Sequence, residues 1–286
     1  RDELLYSLNN LYKKMEEPAS PYYALLLMDG DHLGILLGQQ DPLSVSMALQ
    51  KFTQMVPETV EKHSGITIYA GGDDVLAILP INKVLDCAVE LRHEYGIAFK
   101  QFISEANDAT ASTAIIFSHF HNPFREVLSE AHHQLDDIAK EKNGRNSLSI
   151  ALMKSSGISA KWCVAWSYEE KSIPKYLKDL QERIKEGKFS TGFFYNLRQR
   201  YSMIIDEEEN FKIGQIEPIF IAEYIKGMER RTNGSDLEEA KKNIQLMMSA
   251  CHRYKVVNGQ TKKEAESFQI GGVMLARFLA NGGVRE

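Results

Sequence analysis

Cysteine is scarce in this sequence. Only Cys87, Cys163 and Cys251 occur in 286 residues; they lie far apart and form no CxxC pair. That excludes a cysteine-built zinc site and suits reduced thiols. Long apolar runs are missing as well: no stretch reaches the roughly 20 residues that span a bilayer. No signal peptide is visible either, so the expectation is a cytoplasmic protein without membrane contact. Nor is positive charge in excess. Lysine and arginine total 34 against 39 acidic residues, a net charge of −5. The chain as a whole is therefore not a basic surface for gripping nucleic acid, and any such contact is local or made with partners. The first residue is Arg1 rather than Met, and the expectation is a piece of a longer chain. What remains is ordinary: 43% hydrophobic and 26% charged residues, the composition of a globular protein long enough for about two domains.

Residues 1–20 read as an N-terminal helix and linker. Leu4, Leu5, Leu8, Leu11, Tyr12 and Met15 recur at helical spacing until Pro18 and Pro21 break the pattern. "YYALLLM" is a continuous apolar run suited to a strand buried on both faces. Residues 42–63 read as a helix with Val45, Leu49, Phe52 and Val56 on one stripe, which Pro57 is expected to kink or interrupt. "ITIYA" and "VLAIL" make a hairpin around Gly71 and Gly72, a pair suited to the positive φ angles of a tight turn. A helix, the strand "TASTAIIFS", a long helix and the strand "SLSIALM" follow. The order is close to a ferredoxin-like βαββαβ sandwich with one added strand, over residues 21–158. From 159 to 286 the patterns turn helical, including "DLEEAKKNIQLMMSACHRYK". The fold class expected is α+β: a palm-like sandwich followed by an all-helical C-terminal domain.

The hairpin carries two adjacent carboxylates, Asp73 and Asp74, between strands that look buried. Such neighbours repel by about 1 kcal/mol at 4 Å in water and several times that when partly buried. A divalent cation is the obvious compensation. A second acidic pair, Asp29 and Asp31, closes the first strand around Gly30. Period-2 alternation puts both on one face if the strand stays extended. In a ferredoxin-like sheet that strand lies beside the hairpin, so Asp29 faces Asp73 and Asp74 in a cage of three or four carboxylates. Two metals about 3.5–4 Å apart in such a cage activate a hydroxyl and stabilise a leaving pyrophosphate. Gly30 permits close backbone approach to a ligand. "AKEKNGRN" adds Lys140, Lys142 and Arg145 around Gly144; they serve either to neutralise phosphate charge or simply to favour a helix C-terminus.

Taken in order, "MDGDHLG", "YAGGDDVLAILP", "TASTAIIF" and "NPFREVLSEAHHQLDDIAKEKNGRN" resemble the palm domains of GGDEF-type nucleotide cyclases. They resemble more closely the GGDD palm of the large subunit of type III CRISPR effector complexes, of the Cmr kind. The resemblance implies synthesis of cyclic oligoadenylates from ATP with Mg²⁺ or Mn²⁺. It also implies partners: other subunits of the complex, a guide RNA, and a target RNA that switches the reaction on. By the motif match, Asp29 and Asp73 bind metal, Asp74 is a further ligand or orients the attacking hydroxyl, and Asp31 is a weaker metal ligand. Gly30, Gly71 and Gly72 let backbone approach the nucleotide. Ser112 and Thr113, on a strand beside that pocket, are either a ribose or base contact or ordinary strand residues. The lysine–glycine–arginine stretch is spaced one residue differently from the cyclase pattern, which leaves Lys140 and Lys142 as alternatives. Members of that family often carry an HD nuclease domain, a preceding palm and a zinc module; none is visible here, so DNA cleavage is not assigned to these residues.

Two other readings stand beside this one: a stand-alone GGDEF-like cyclase, and a non-catalytic scaffold whose acidic turn binds metal only to hold an interface. His119, His121, His132 and His133 cluster in sequence, but adjacent helical histidines diverge by about 100° and chelate poorly. They are read as solvated or partly packed. Trp162 and Trp166 are read as packing between the two halves.

Overall fold

The apolar run after Pro21 becomes a central strand because both of its faces have something to bury against. Strand β1 (Tyr22–Gly30) follows helix α1 (Asp2–Lys14). Ala24, Leu26 and Met28 enter one core while Leu25 and Leu27 enter the other, as expected of a strand covered on both sides. The structure, a computed structural model, describes residues 2–14, 20–103, 109–201, 210–212, 217–229 and 237–283. In α1, Leu4, Leu5 and Tyr6 are exposed; Met15 lies outside the described residues.

Next come α2 (Leu33–Gln39), α3 (Pro42–Lys62), β2 (Ile66–Gly71), β3 (Asp74–Leu79), α4 (Val84–Phe102) and β4 (Ala111–His119). After these follow α5 (Phe124–His132), a π-helix (His133–Lys142), β5 (Ser147–Lys154) and β6 (Gly157–Ala165). The sheet order is β2-β3-β1-β4-β5-β6. Its first four strands are the expected ferredoxin-like arrangement, and β5, parallel to β4, is the expected added strand. The hairpin partner β6 is a further strand that the sequence reading does not contain. The expected division after residue 158 falls inside it.

Helices α3 and α4 cover one face through Val45, Phe52, Val56, Leu91, Tyr95 and Phe99. Val127, Ala131 and Leu135 cover the other. Pro57 lies within α3 without ending it, since proline at one interior position removes a single backbone hydrogen bond.

The second half holds short strands β7 (Ser167–Tyr168) and β8 (Lys171–Ser172), then α6 (Ile173–Lys185), α7 (Thr191–Tyr201) and β9 (Asn210–Lys212). It continues with α8 (Glu217–Glu229), α9 (Leu237–Cys251), β10 (His252–Val257), β11 (Gln260–Gln269) and α10 (Ile270–Ala280). It is mainly helical but not all-helical, because β10, β11 and β9 form a three-stranded sheet. The helix expected to run through "HRYK" stops at Cys251. Beyond it His252, Tyr254 and Val256 alternate inward, and strand periodicity takes over.

The two halves are tied by close backbone packing. Trp162 on β6 is buried and donates to the Ala250 carbonyl at 2.9 Å, which fits its expected packing role. Trp166 donates to the Ala111 carbonyl at 2.9 Å, back into the sheet. Gly271 and Gly272 lie inside α10. A Cβ on Gly271 would stand 1.7 Å from the Lys161 carbonyl oxygen, so only glycine lets α10 lie directly on β6.

Candidate active site

The acidic cluster forms where β1 ends beside the β2–β3 hairpin. Register pairs Met28 with Val75 and Gly71 with Asp74, which carries Asp29 level with Asp74 across the ladder. The turn consists of Gly72 and Asp73. Gly72 has φ +66°, so the turn takes its positive φ from this glycine alone, while Gly71 is the last residue of β2. Carboxylate oxygens of Asp29, Asp73 and Asp74 all lie within 4.8 Å of one another. Asp29 and Asp73 are half-buried and Asp74 is exposed. Among the described residues no other group of three or more acidic, histidine or cysteine side chains is gathered in this way.

Repulsion among the three carboxylates is what a bound cation would offset. Burial, reinforced by the neighbouring Asp29 charge, pushes the Asp73 carboxyl up to about 6. The same two causes raise Asp74. Three hard oxygen donors in a half-buried cluster fit Mg²⁺ or Mn²⁺. Part of the compensation is internal: the Lys140 ammonium donates to Asp29 and lies 3.9 Å from Asp136.

Lys140 reaches Asp29 from the last turn of the π-helix. The wider turn closes from the Asn143 amide to the Ile138 carbonyl at 2.9 Å, five residues back. Of the two lysines expected there, Lys140 sits at the cluster and Lys142 is exposed on the helix end. Arg145 follows in a left-handed turn, bonded to Glu141 at 3.3 Å. It lines a cleft of about 360 Å³ together with His32, Ile35, Thr110, Asn146 and Val256.

Three expected site residues have other surroundings. Asp31 is 3% exposed and does not join the cluster. The strand ends at Gly30, so alternation no longer applies one residue later. Ser112 is fully buried and gives its hydroxyl to Asp31 at 2.8 Å, which leaves it no open face for a ribose. Gly30 makes room for protein instead: a Cβ there would stand 2.4 Å from the Tyr95 hydroxyl and 2.9 Å from Asp73 Cβ. Tyr95, stacked edge-on against Phe52 at 5.0 Å, is a part of the site the sequence reading missed. Gly30→Ala should therefore displace Asp73 and cost about 1–3 kcal/mol through overpacking. A thermal melt together with Mn²⁺ affinity checks this, and unchanged values of both would contradict it.

The histidines do not form a metal site. His133 pairs with Asp137 at 2.7 Å, His132 lies 3.8 Å from Asp136, and His119 stacks on Phe120 with centroids 4.8 Å apart.

Protons and metal compete for Asp73. An unfolded aspartate loses its proton near about pH 3.9, whereas in the folded, metal-free chain Asp73 keeps its proton to about 6. Between those values the folded state binds more protons, so its stability falls as pH rises through that window. Metal affinity should weaken about tenfold per pH unit below about pH 6. Mn²⁺ titrations at about pH 5, 6 and 7 check this, and equal affinity at the two lower values would contradict it.

Residues 22–149 match the family model of the Cas10/Cmr2 second palm domain. Over this stretch the chain carries a palm domain of the Cas10/Cmr2 family. It is 31% identical over 226 residues, 68% of its length, to the CRISPR system Cmr subunit Cmr2 of Pyrococcus furiosus, and covers 25% of that relative. With the corresponding Cmr2 of Saccharolobus solfataricus it shares 25% over 255 residues, covering 73% of this chain and 24% of the relative. Its fold resembles a chain in the cryo-EM structure of the type III-B Cmr-beta complex bound to cognate target RNA, with TM-score 0.58 and 15% identity. That match covers 99% of this chain and 41% of the other. The expected kinship with a Cmr-type large subunit is borne out, and the chain spans about a quarter of the length of these curated Cmr2 relatives. Among the described residues, no helix is long and apolar enough to cross a membrane.

Proposed function

We propose that this Cas10/Cmr2 palm is an ATP-dependent nucleotidyltransferase that makes cyclic oligoadenylates. The observation that carries the reading is the gathering of Asp29, Asp73 and Asp74 within 4.8 Å beside Lys140. Asp29 and Asp73 would hold Mg²⁺ or Mn²⁺ with Asp74 as a third ligand; such ions, when bound, activate a hydroxyl and stabilise a leaving pyrophosphate. The 3′-hydroxyl of one ATP attacks the α-phosphorus of another. A P–O bond forms as the bond to pyrophosphate breaks and the hydroxyl proton passes to solvent; after further additions the terminal 3′-hydroxyl attacks the α-phosphorus of the first unit, expelling its pyrophosphate and closing the ring. Lys140, released from Asp29, neutralises triphosphate charge, and Arg145 offers a second cation from the turn that follows. Asp74, the exposed member, orients the attacking hydroxyl. The hairpin tip is uncrowded at Gly72, where nothing lies within 4 Å of a Cβ position, which supports approach of a nucleotide from that side.

The partners proposed are the other subunits of a type III effector complex, with guide RNA and an activating target RNA reached through them. Mass spectrometry of products from the full-length chain in its complex, with target RNA and Mg²⁺ or Mn²⁺, compares ATP with GTP. Cyclic adenylates from ATP are expected. A cyclic guanine dinucleotide from GTP, or no product from either, would overturn the reading.

A further inference from the structure

Asp31 is buried among donors that all belong to the protein. One carboxylate oxygen accepts from Thr110 Oγ1 and from the Asn146 amide, each at 2.8 Å. The other accepts from Ser112 Oγ at 2.8 Å. The Arg92 guanidinium acts on Asp31 electrostatically and donates to the Asn146 side-chain oxygen at 2.9 Å. Both partners of this network therefore meet at Asn146.

Asn146 needs holding. Gly144, Arg145 and Asn146 have φ of 86°, 69° and 44° in succession, and the last two are residues with a Cβ in a region that side chains disfavour. Ser147 Oγ donates to the Arg145 carbonyl at 2.6 Å, and the Trp166 amide to the Asn146 carbonyl at 3.2 Å. The Asn146 amide itself goes to Asp31. The same turn directly follows the π-helix end that brings Lys140 to Asp29, and it presents Arg145 and Asn146 to the cleft.

We propose that Asp31, together with Arg92, is a positioning residue: it clamps the left-handed 144–146 turn and so fixes Lys140 and Arg145 for the triphosphate, without ligating metal. Its functional consequence rests on the nucleotidyltransferase reading. Its structural content does not.

The test uses the full-length chain in its complex and compares Asp31→Asn with Asp29→Asn. Three readouts apply: hydrogen exchange over residues 139–147, Mn²⁺ affinity by electron paramagnetic resonance, and steady-state kinetics with ATP. Asp31→Asn should speed exchange at the Asn146 amide about tenfold or more while leaving Mn²⁺ affinity within about twofold. It should raise KM for ATP about tenfold with a smaller change in kcat. Asp29→Asn should do the opposite, losing Mn²⁺ with the turn still protected. If Asp31→Asn loses Mn²⁺ as Asp29→Asn does, Asp31 is a ligand and the proposal falls; it falls equally if exchange at the turn is unchanged. Should Asp31→Asn fail to fold, Arg92→Met decides on the same exchange and Mn²⁺ criteria. If the wild type makes no product, the functional reading fails, yet exchange and Mn²⁺ binding still settle the role of Asp31.

Discussion

Replacing Asp73 and Asp74 together by asparagine should lower product formation by about 10³-fold or more, because charge stabilisation by metal is worth several kcal/mol of barrier. The fold should survive. Both residues lie at the tip of the β2–β3 hairpin rather than in either core. Their carboxyls are raised by burial and by each other's neighbourhood with Asp29, so removing the charges relieves repulsion in the metal-free chain. The melting temperature without metal should therefore stay level or rise. Product assay and thermal melt, run on the same preparations, check both halves of the expectation. Retained product would remove these aspartates from the chemistry, and a large drop in melting temperature would make them structural.

Gly144→Ala should do the reverse, harming structure first. Gly144 has φ +86°, and a Cβ there would stand 2.0 Å from the Val256 carbonyl oxygen. That neighbour is backbone, held by the Val256 amide donating to the Asn143 carbonyl at 2.8 Å. The Asn143 side chain donates to Tyr254 O at 3.0 Å as well. Strand β10 cannot yield without breaking these bonds. The expected loss is about 3 kcal/mol from overpacking and a disfavoured φ, a drop of several degrees in melting temperature. Gly72→Ala is the control: it shares the positive φ but has nothing within 4 Å, so its cost is about 1 kcal/mol. Equal melting temperatures for the two variants would show that the β10 contact does not constrain the turn.

Why was the acidic cluster legible in the sequence when its supports were not? Strand patterns in "YYALLLM", "ITIYA" and "VLAIL" are local, and sheet order follows once the ferredoxin-like arrangement is recognised. Asp29, Asp73 and Asp74 then fall together by register. Asp31 did not follow, because alternation needs a strand and β1 stops at Gly30. Arg92, Tyr95 and Asn143 act across long separations in the chain, through Asn146, Gly30 and Tyr254. Arg92 did leave a trace, as a long cation beside the buried stripe of α4 next to Leu91. Strand β11 left almost none: "QTKKEAESFQ" is nearly all polar, and it is held as a strand by pairing with β10 and β9 rather than by its own burial pattern. Lys140 and Lys142 stood as alternatives in the sequence, because nothing in its local pattern announces the π-helix that sets which way each one points.

On the proposed reading, Asp29, Asp73 and Asp74 hold catalytic metal beside ATP. The most direct test of that reading is electron paramagnetic resonance of Mn²⁺ added to the full-length chain in its complex with a non-hydrolysable ATP analogue. The expected result is a pair of magnetically coupled Mn²⁺ ions about 3.5–4 Å apart, lost in Asp73→Asn. Absence of bound Mn²⁺ in the wild type, or an unchanged signal in Asp73→Asn, would contradict the account.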